Sequence, residues 1–158
     1  MIKLDQIDCR ILEELQRDAA QSQRELADSI GLSQNACWRR LKALEAAGAI
    51  RNHTVLLNRE KLGAGLVVIM MVRTRHHSSG WLGTFRDHVS SIPNVVDFYR
   101  IGGDYDYLIK VVTRDMTSYD AIYQRLISEV ELENVTSYFA MEAIAEQRPF
   151  PLCRTDEG

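Results

Sequence analysis

SQRELADSIGLSQNACWRRLK, residues 22–42, reads as two short helices joined by a tight turn. Ser22 is placed to cap the first helix, and Glu25 three residues on completes a capping box. Leu26, Ala27 and Ile30 then share one face at helical spacing. Gly31 ends that helix, because glycine enters the left-handed conformation without a Cβ clash. Leu32 follows as an apolar plug. Ser33 caps the second helix, whose apolar face is Cys37, Leu41 and Leu44. Gln34, Asn35, Arg39, Arg40 and Lys42 fall on its other side. A helix-turn-helix with a polar, basic second helix suits a DNA major groove, where side chains near the helix start reach base edges.

Upstream, Asp5 can cap a helix from about Gln6 to Ala19, with Ile7, Ile11, Leu12 and Leu15 as its apolar stripe. Three helices then make one compact unit. The second helix of the motif continues to Ala47 and stops at Gly48. IRNHTVLLN, residues 50–58, is rich in β-branched and apolar residues and reads as a strand or short hairpin. Residues 59–65 read as a linker broken by Gly63 and Gly65. The expected organisation is therefore 1–61, a winged-type helix-turn-helix with its linker strand, and 62–158, a second domain.

That second domain alternates periods. Leu66 to Thr74 is a strand apolar enough to be buried on both faces. Ser79 to Ile92 is helical, with Trp81, Leu82, Phe85, His88 and Val89 near one face. Val95 to Ile101 and Tyr105 to Thr113 are strands joined by Gly102-Gly103-Asp104. Asp115 caps a helix from Met116 to about Val130, and Val135 to Ala145 is the last strand. The order β-α-β-β-α-β is that of a ferredoxin-like antiparallel sheet with both helices on one face, so the fold class is α+β. The open sheet face needs a cover, and a second copy would supply one, so a dimer is expected.

The net charge of −3 alone argues against a nucleic-acid binder, but its distribution does not. Ser33 to Lys61 holds six Lys or Arg against two acids; from Leu62 onward nine stand against thirteen. A basic segment on an acidic body fits a chain of which one part meets phosphate. No apolar run approaches the roughly 18 residues of a membrane span, and MIKLDQID lacks a leader's apolar region, so the expected place is the cytoplasm. Cys9, Cys37 and Cys153 are scattered and show no CxxC or His–Cys spacing, so neither a disulfide framework nor a metal site is expected, and Cys9 and Cys37, on apolar helix faces, read as small core residues.

Both halves together resemble the Lrp/AsnC, or feast/famine, family of transcription regulators. The N-terminal pattern is Leu4-Asp5, Asp8, Ile11-Leu12, Leu15-Gln16, Asp18, Glu25-Leu26-Ala27, Gly31-Leu32-Ser33, Cys37, Arg40-Leu41-Lys42, Leu44-Glu45, Gly48 and Ile50. The C-terminal pattern is Gly103-Asp104-Tyr105-Asp106-Tyr107-Leu108, Met116, Tyr119 and Met141-Glu142. The family often has Pro-Thr-Pro between the serine and the cysteine; Gln34-Asn35-Ala36 stands here. His76-His77-Ser78-Ser79, Ser137 to Glu142, Trp38 and Trp81 resemble a cysteine-responsive DecR/CuyR-like branch. The resemblance implies double-stranded operator DNA as one partner, a small amino acid (cysteine suspected) as effector, no cofactor, and homodimers that assemble further into a tetramer of dimers.

Successive helix residues lie about 100° apart, so Arg39, Arg40 and Lys42 cannot all face one way. Arg39 and Lys42 are assigned to DNA, and Arg40 to phosphate or to an acid of the first helix. Gln34 and Asn35 sit where bidentate contact to adenine is available, and Ser33 can meet phosphate. Trp38 is read as packing rather than as a base-stacking group. The resemblance places an effector pocket on Gly103, Asp104, Tyr105 and Asp106, with Tyr138, Phe139 and Ala140 at positions that influence the response. Glycines there expose N–H groups and an acid can receive an ammonium. His76 and His77 end a strand and either touch an effector carboxylate or shape the turn. The rival readings are an architectural DNA binder without effector, and an enzyme using His76, His77, Asp104 or Asp106 as acid or base.

Overall fold

The computed structural model describes residues 2–152. The chain divides into two compact units. One runs to Leu56 and takes back the chain from Ala145 onward; the other is Leu57–Ile144.

In the first unit, helix α1 is Gln6–Arg17, α2 is Gln23–Ile30 and α3 is Gln34–Ala46. Asp5 and Asp8 exchange side-chain-to-backbone bonds at the start of α1, and Ser22 and Glu25 do so at the start of α2. Each box satisfies N–H groups that have no partner inside the helix. Gly31 closes α2 at φ +78°. Helix α1 stops at Arg17, short of the expected Ala19, and Asp18 bends away in extended conformation. Ile11, Leu12, Leu26, Ala27, Ile30, Cys37, Leu41 and Leu44 meet in one core. The returning tail is pinned to α1 by a reciprocal pair. Gln16 Nε2 donates to the Phe150 carbonyl, and the Phe150 N–H donates to Gln16 Oε1, both at 3.0 Å. Cys9 and Cys37 are buried as core residues, Cys37 as a free thiol, but Cys9 is disulfide-bonded, which corrects the expectation of no disulfide; Cys153 lies outside the described residues.

The strand or hairpin expected over residues 50–58 does not form. The chain there carries no ladder, and Val55, Leu56 and Leu57 stand exposed. A strand needs a neighbour to take its N–H and C=O groups, and no strand among the described residues runs beside this one.

The second unit consists of β1 Leu66–Arg73, α4 Ser79–Ser90, β2 Val95–Arg100, β3 Tyr107–Thr113, α5 Met116–Ser128 and β4 Asn134–Phe139. The sheet order is β2-β3-β1-β4 with every neighbour antiparallel, the ferredoxin-like arrangement. Val68, Met70 and Val72 of β1 and Tyr107, Ile109 and Val111 of β3 face Phe85, Val89, Ile122 and Leu126 of the helices. His88 ties α4 to the end of α5. Its Nε2 lies 2.8 Å from the Arg125 carbonyl and 3.1 Å from that of Leu126, and its Nδ1 is 3.2 Å from Glu129 Oε2.

Two expectations change. β1 is not buried on both faces in the single chain. Ile69 and Met71 are only half-buried, on an open face shared with Leu108, Val112 and the exposed Tyr99 and Tyr138. β4 stops at Phe139 instead of reaching Ala145. Its partner strand begins at Leu66, so after the bond from the Ala140 N–H to the Val67 carbonyl there is nothing left to pair with. Among the described residues no helix is long and apolar enough to cross a membrane.

Candidate DNA-reading face and ligand-binding loop

Cys37, Leu41 and Leu44 fix the rotation of α3 by facing the helical core. Ser33, Gln34, Asn35, Trp38, Arg39 and Lys42 are consequently exposed. The Ser33 hydroxyl accepts the Ala36 N–H at 3.3 Å, so its first task is capping. Lys42 Nζ is 2.6 Å from Glu45 Oε2, on the same helix. That contact, with His53 further off, holds the Glu45 carboxyl below the usual carboxylate range. Arg39 makes no ion pair with any described residue, so its charge is open to solvent or to a partner.

Arg40 takes the second of its two expected positions. Its Nη1 lies 2.7 Å from Asp5 Oδ2 and 2.8 Å from Asp8 Oδ1. The Asp8 N–H first, and Arg40 second, hold the Asp5 carboxyl below its ordinary value. Phosphate contact by Arg40 would have to compete with two carboxylates. Trp38 corrects the packing expectation. It is 48% exposed, has no ring contact among the described residues, and stands one turn from both Gln34 and Lys42. On the helical wheel it lies about 60° from Leu41 but about 120° from Leu44, at the edge of the apolar face, so spacing alone left its burial open.

At one end of the sheet, Gly103 turns the chain at φ +121°, a conformation that side chains rarely adopt. The loop is held from both sides: the Ile101 N–H donates to the Asp106 carbonyl, and the Asp106 N–H to the Val72 carbonyl. Asp106 Oδ2 accepts the Thr74 N–H at 2.8 Å, so this carboxylate fastens the end of β1. Asp104 differs. Its side chain is exposed and without a hydrogen bond or ion pair among the described residues, while its carbonyl accepts Arg73 Nε at 2.7 Å.

The Arg73 guanidinium also stacks 5.4 Å from the Tyr105 ring. Tyr105 Oη is 3.3 Å from Thr136 Oγ1 and bonds Tyr138, whose phenol is raised by that contact. Arg73 was missed in the sequence; a lone cation at the end of an apolar strand was its only mark. The Arg73 guanidinium at the end of β1 and the Asp104 carboxylate, unpaired among the described residues, flank one glycine-turned loop beside Tyr105 and Tyr138 and can supply counter-charges for both ends of a zwitterion.

The other expected residues lie elsewhere. Phe139 pairs with Val68, about 17 Å along β1 from Arg73, and its ring meets Tyr119 edge-on. Ala140 follows it at the same end. His76 is 3.5 Å from Glu131 and borders a cavity of about 200 Å³ with Arg75, Leu132 and Glu133. His77 is exposed. No hydrogen bond or ion pair among the described residues joins either histidine to the glycine loop. A larger groove of about 590 Å³, between Asn94, Arg114, Ser118 and Arg125, lies at the opposite end of the sheet from that loop. Among the described residues no three His, Cys, Asp or Glu side chains are grouped to hold a metal.

Comparison with known proteins places both halves. Residues 4–51 match the winged helix-turn-helix DNA-binding family, and residues 67–150 match the Lrp/AsnC ligand binding domain. The chain is 42% identical over 155 residues to the glutamate uptake regulatory protein of Zymomonas mobilis, covering 98% of this chain and 94% of that protein. It is 42% identical over 150 residues to the DNA-binding transcriptional activator DecR of Escherichia coli, covering 94% and 99%. A transcriptional regulator from Neisseria meningitidis, solved with L-Met, superposes at a TM-score of 0.86 with 30% identity, covering 91% of this chain and 94% of that one. Fold, face and relatives define a DNA-binding transcription regulator with a separate ligand-binding domain, and not an enzyme. The chain belongs to the Lrp/AsnC family.

Proposed function

We propose that this regulator reads duplex operator DNA with the outward face of α3 and adjusts that reading to a free amino acid held at the Gly102–Asp106 loop. The reading rests above all on one observation. Arg39, with no ion pair among the described residues, projects from the exposed face that also carries Ser33, Gln34, Asn35 and Lys42. Arg40 supports the face from behind by fixing α3 to α1. In the ligand-binding half, Arg73 receives the effector carboxylate and Asp104 its ammonium, with Tyr105 and Tyr138 against the side chain. His76, His77, Phe139 and Ala140 act, if a second copy brings them to the pocket, from outside this loop.

Cysteine is the first effector candidate, from the resemblance to the cysteine-responsive branch. Glutamate and methionine stand behind it, because one relative is a glutamate uptake regulator and one similar structure holds L-Met. A second copy covers the open sheet face of Ile69, Met71, Leu108 and Val112 to make a dimer, and dimers assemble further. The work is cytoplasmic. The domains divide near residue 61. Effector binding shifts the population toward one assembly or DNA-binding geometry, which couples the two sites.

Thermal unfolding with each of the twenty amino acids at millimolar concentration, cysteine kept reduced, tests the effector half. A ligand at 100 times its dissociation constant adds about 2.7 kcal/mol of stability. A selective shift with cysteine is the expected result. A shift with another amino acid keeps the pocket and replaces the effector. No shift with any, with or without DNA, removes the effector and leaves an architectural DNA binder.

A further inference from the structure

We infer that Trp38 is a specificity residue that reads thymine, its indole lying against a thymine 5-methyl group in the major groove. The inference rests on the proposed DNA-reading role of α3 and adds to it the base that is chosen. Tryptophan is normally drawn into a core or an interface. This one is 48% exposed and meets no other ring among the described residues. It is the fifth residue of α3, in the half of a recognition helix that enters the groove. Gln34 stands one turn before it and Lys42 one turn after, and the neighbouring Arg39 has no acidic partner among the described residues. An apolar ring framed by cations and amides fits a surface that is polyanionic and carries isolated apolar groups.

Duplex DNA is such a surface. In the major groove the thymine methyl is the one apolar group the four bases present. Stacking is not open to Trp38 there, because paired bases show their edges and hide their faces. The indole N–H can also donate to an acceptor beside the methyl, N7 or O4, which would fix the ring's orientation.

Duplexes selected from a random library by the full-length protein and by Trp38→Ala test this. The natural protein is expected to fix a thymine in each half-site, and Trp38→Ala to lose preference at that position alone. Replacing that thymine by deoxyuridine deletes only the methyl. It should weaken the natural protein about fourfold, the worth of one buried methyl, and leave Trp38→Ala unchanged. The salt dependence of Trp38→Ala should equal that of the natural protein, since no phosphate contact is removed. Trp38→Phe guards against a folding defect, because it keeps an apolar ring and should keep part of the uracil effect. If a sequence is selected but deoxyuridine costs nothing at any position, Trp38 does not read thymine, while the DNA-reading face survives. If the natural protein selects no sequence, both readings fall together.

Discussion

Arg40 on α3 donates to Asp8 on α1 across 2.8 Å, and the same nitrogen lies 2.7 Å from Asp5. The two aspartates already cap each other's backbone, so a single guanidinium closes a ring of charge over the start of α1. The contact joins α3 to the start of α1. Arg40→Met keeps the aliphatic stem and removes the charge. It should lower the unfolding temperature of the natural fold and weaken DNA binding, yet leave the salt dependence of binding unchanged. Thermal unfolding and a salt titration on one duplex check both parts.

Two capping carboxylates, Asp5 and Glu25, give an acid limit to stability. The Asp8 N–H and then Arg40 depress Asp5, and the Ser22 backbone and then its hydroxyl depress Glu25. A carboxyl depressed in the folded state adds stability that is full above its unfolded value, near pH 4. That stability drains as pH falls through the lower folded value. The urea midpoint should therefore hold steady from pH 7 to about 5 and drop below about 4. In Arg40→Met the drop should be shallower, because part of the depression of Asp5 is already gone.

Asp104 and Asp106 are two residues apart and should behave oppositely. Asp106 Oδ2 holds the Thr74 N–H, and losing a part-buried bond to a charged group costs about 1–3 kcal/mol. Asp106→Ala should lower stability by that order. Asp104→Ala should leave stability alone and abolish the thermal shift caused by the effector. Denaturant unfolding of both variants, with and without the amino acid found active, separates the two roles.

Met71 sits at the centre of the open sheet face, opposite Leu108 on one side and Thr136 on the other. Met71→Glu puts a charge where a second copy is proposed to lie, and an uncompensated buried charge is strongly disfavoured. Sedimentation should show the natural chain as a dimer or larger and the variant as a monomer. An unchanged assembly in the variant would move the interface to another surface.

Much of the fold was legible because local rules agree with one another. Ser22 with Glu25, Gly31, Ser33 and Asp115 each mark a boundary through a bond or a backbone angle that depends on near neighbours only. The errors lie where a partner decides. Residues 50–58 have the composition of a strand, but composition does not provide a neighbouring ladder. Ala140 to Ala145 continue the apolar pattern of β4, but β1 has run out at Leu66. The exposed face of α3 was readable from helical spacing, and the pairing of Arg40 with acids at the start of α1 was one of its two expected positions; only Trp38, expected to pack, stands in other surroundings. Spacing left Arg40 open between phosphate and an acid, and only the packing of α3 on α1 brings it to acids 32 and 35 residues away. Arg73 and Tyr105 come together for the same reason, across a strand and a loop 32 residues apart.

The outward face of α3 is proposed to meet DNA through Arg39. The most direct test is the affinity of the natural protein and of Arg39→Ala for one selected duplex, measured across a range of salt concentrations. A lost phosphate contact should weaken binding and reduce the slope of log K against log salt by about 0.9. If Arg39 reads a base instead, affinity should fall and discrimination at one position should relax. Equal affinity, equal slope and equal discrimination in the two proteins would contradict the account.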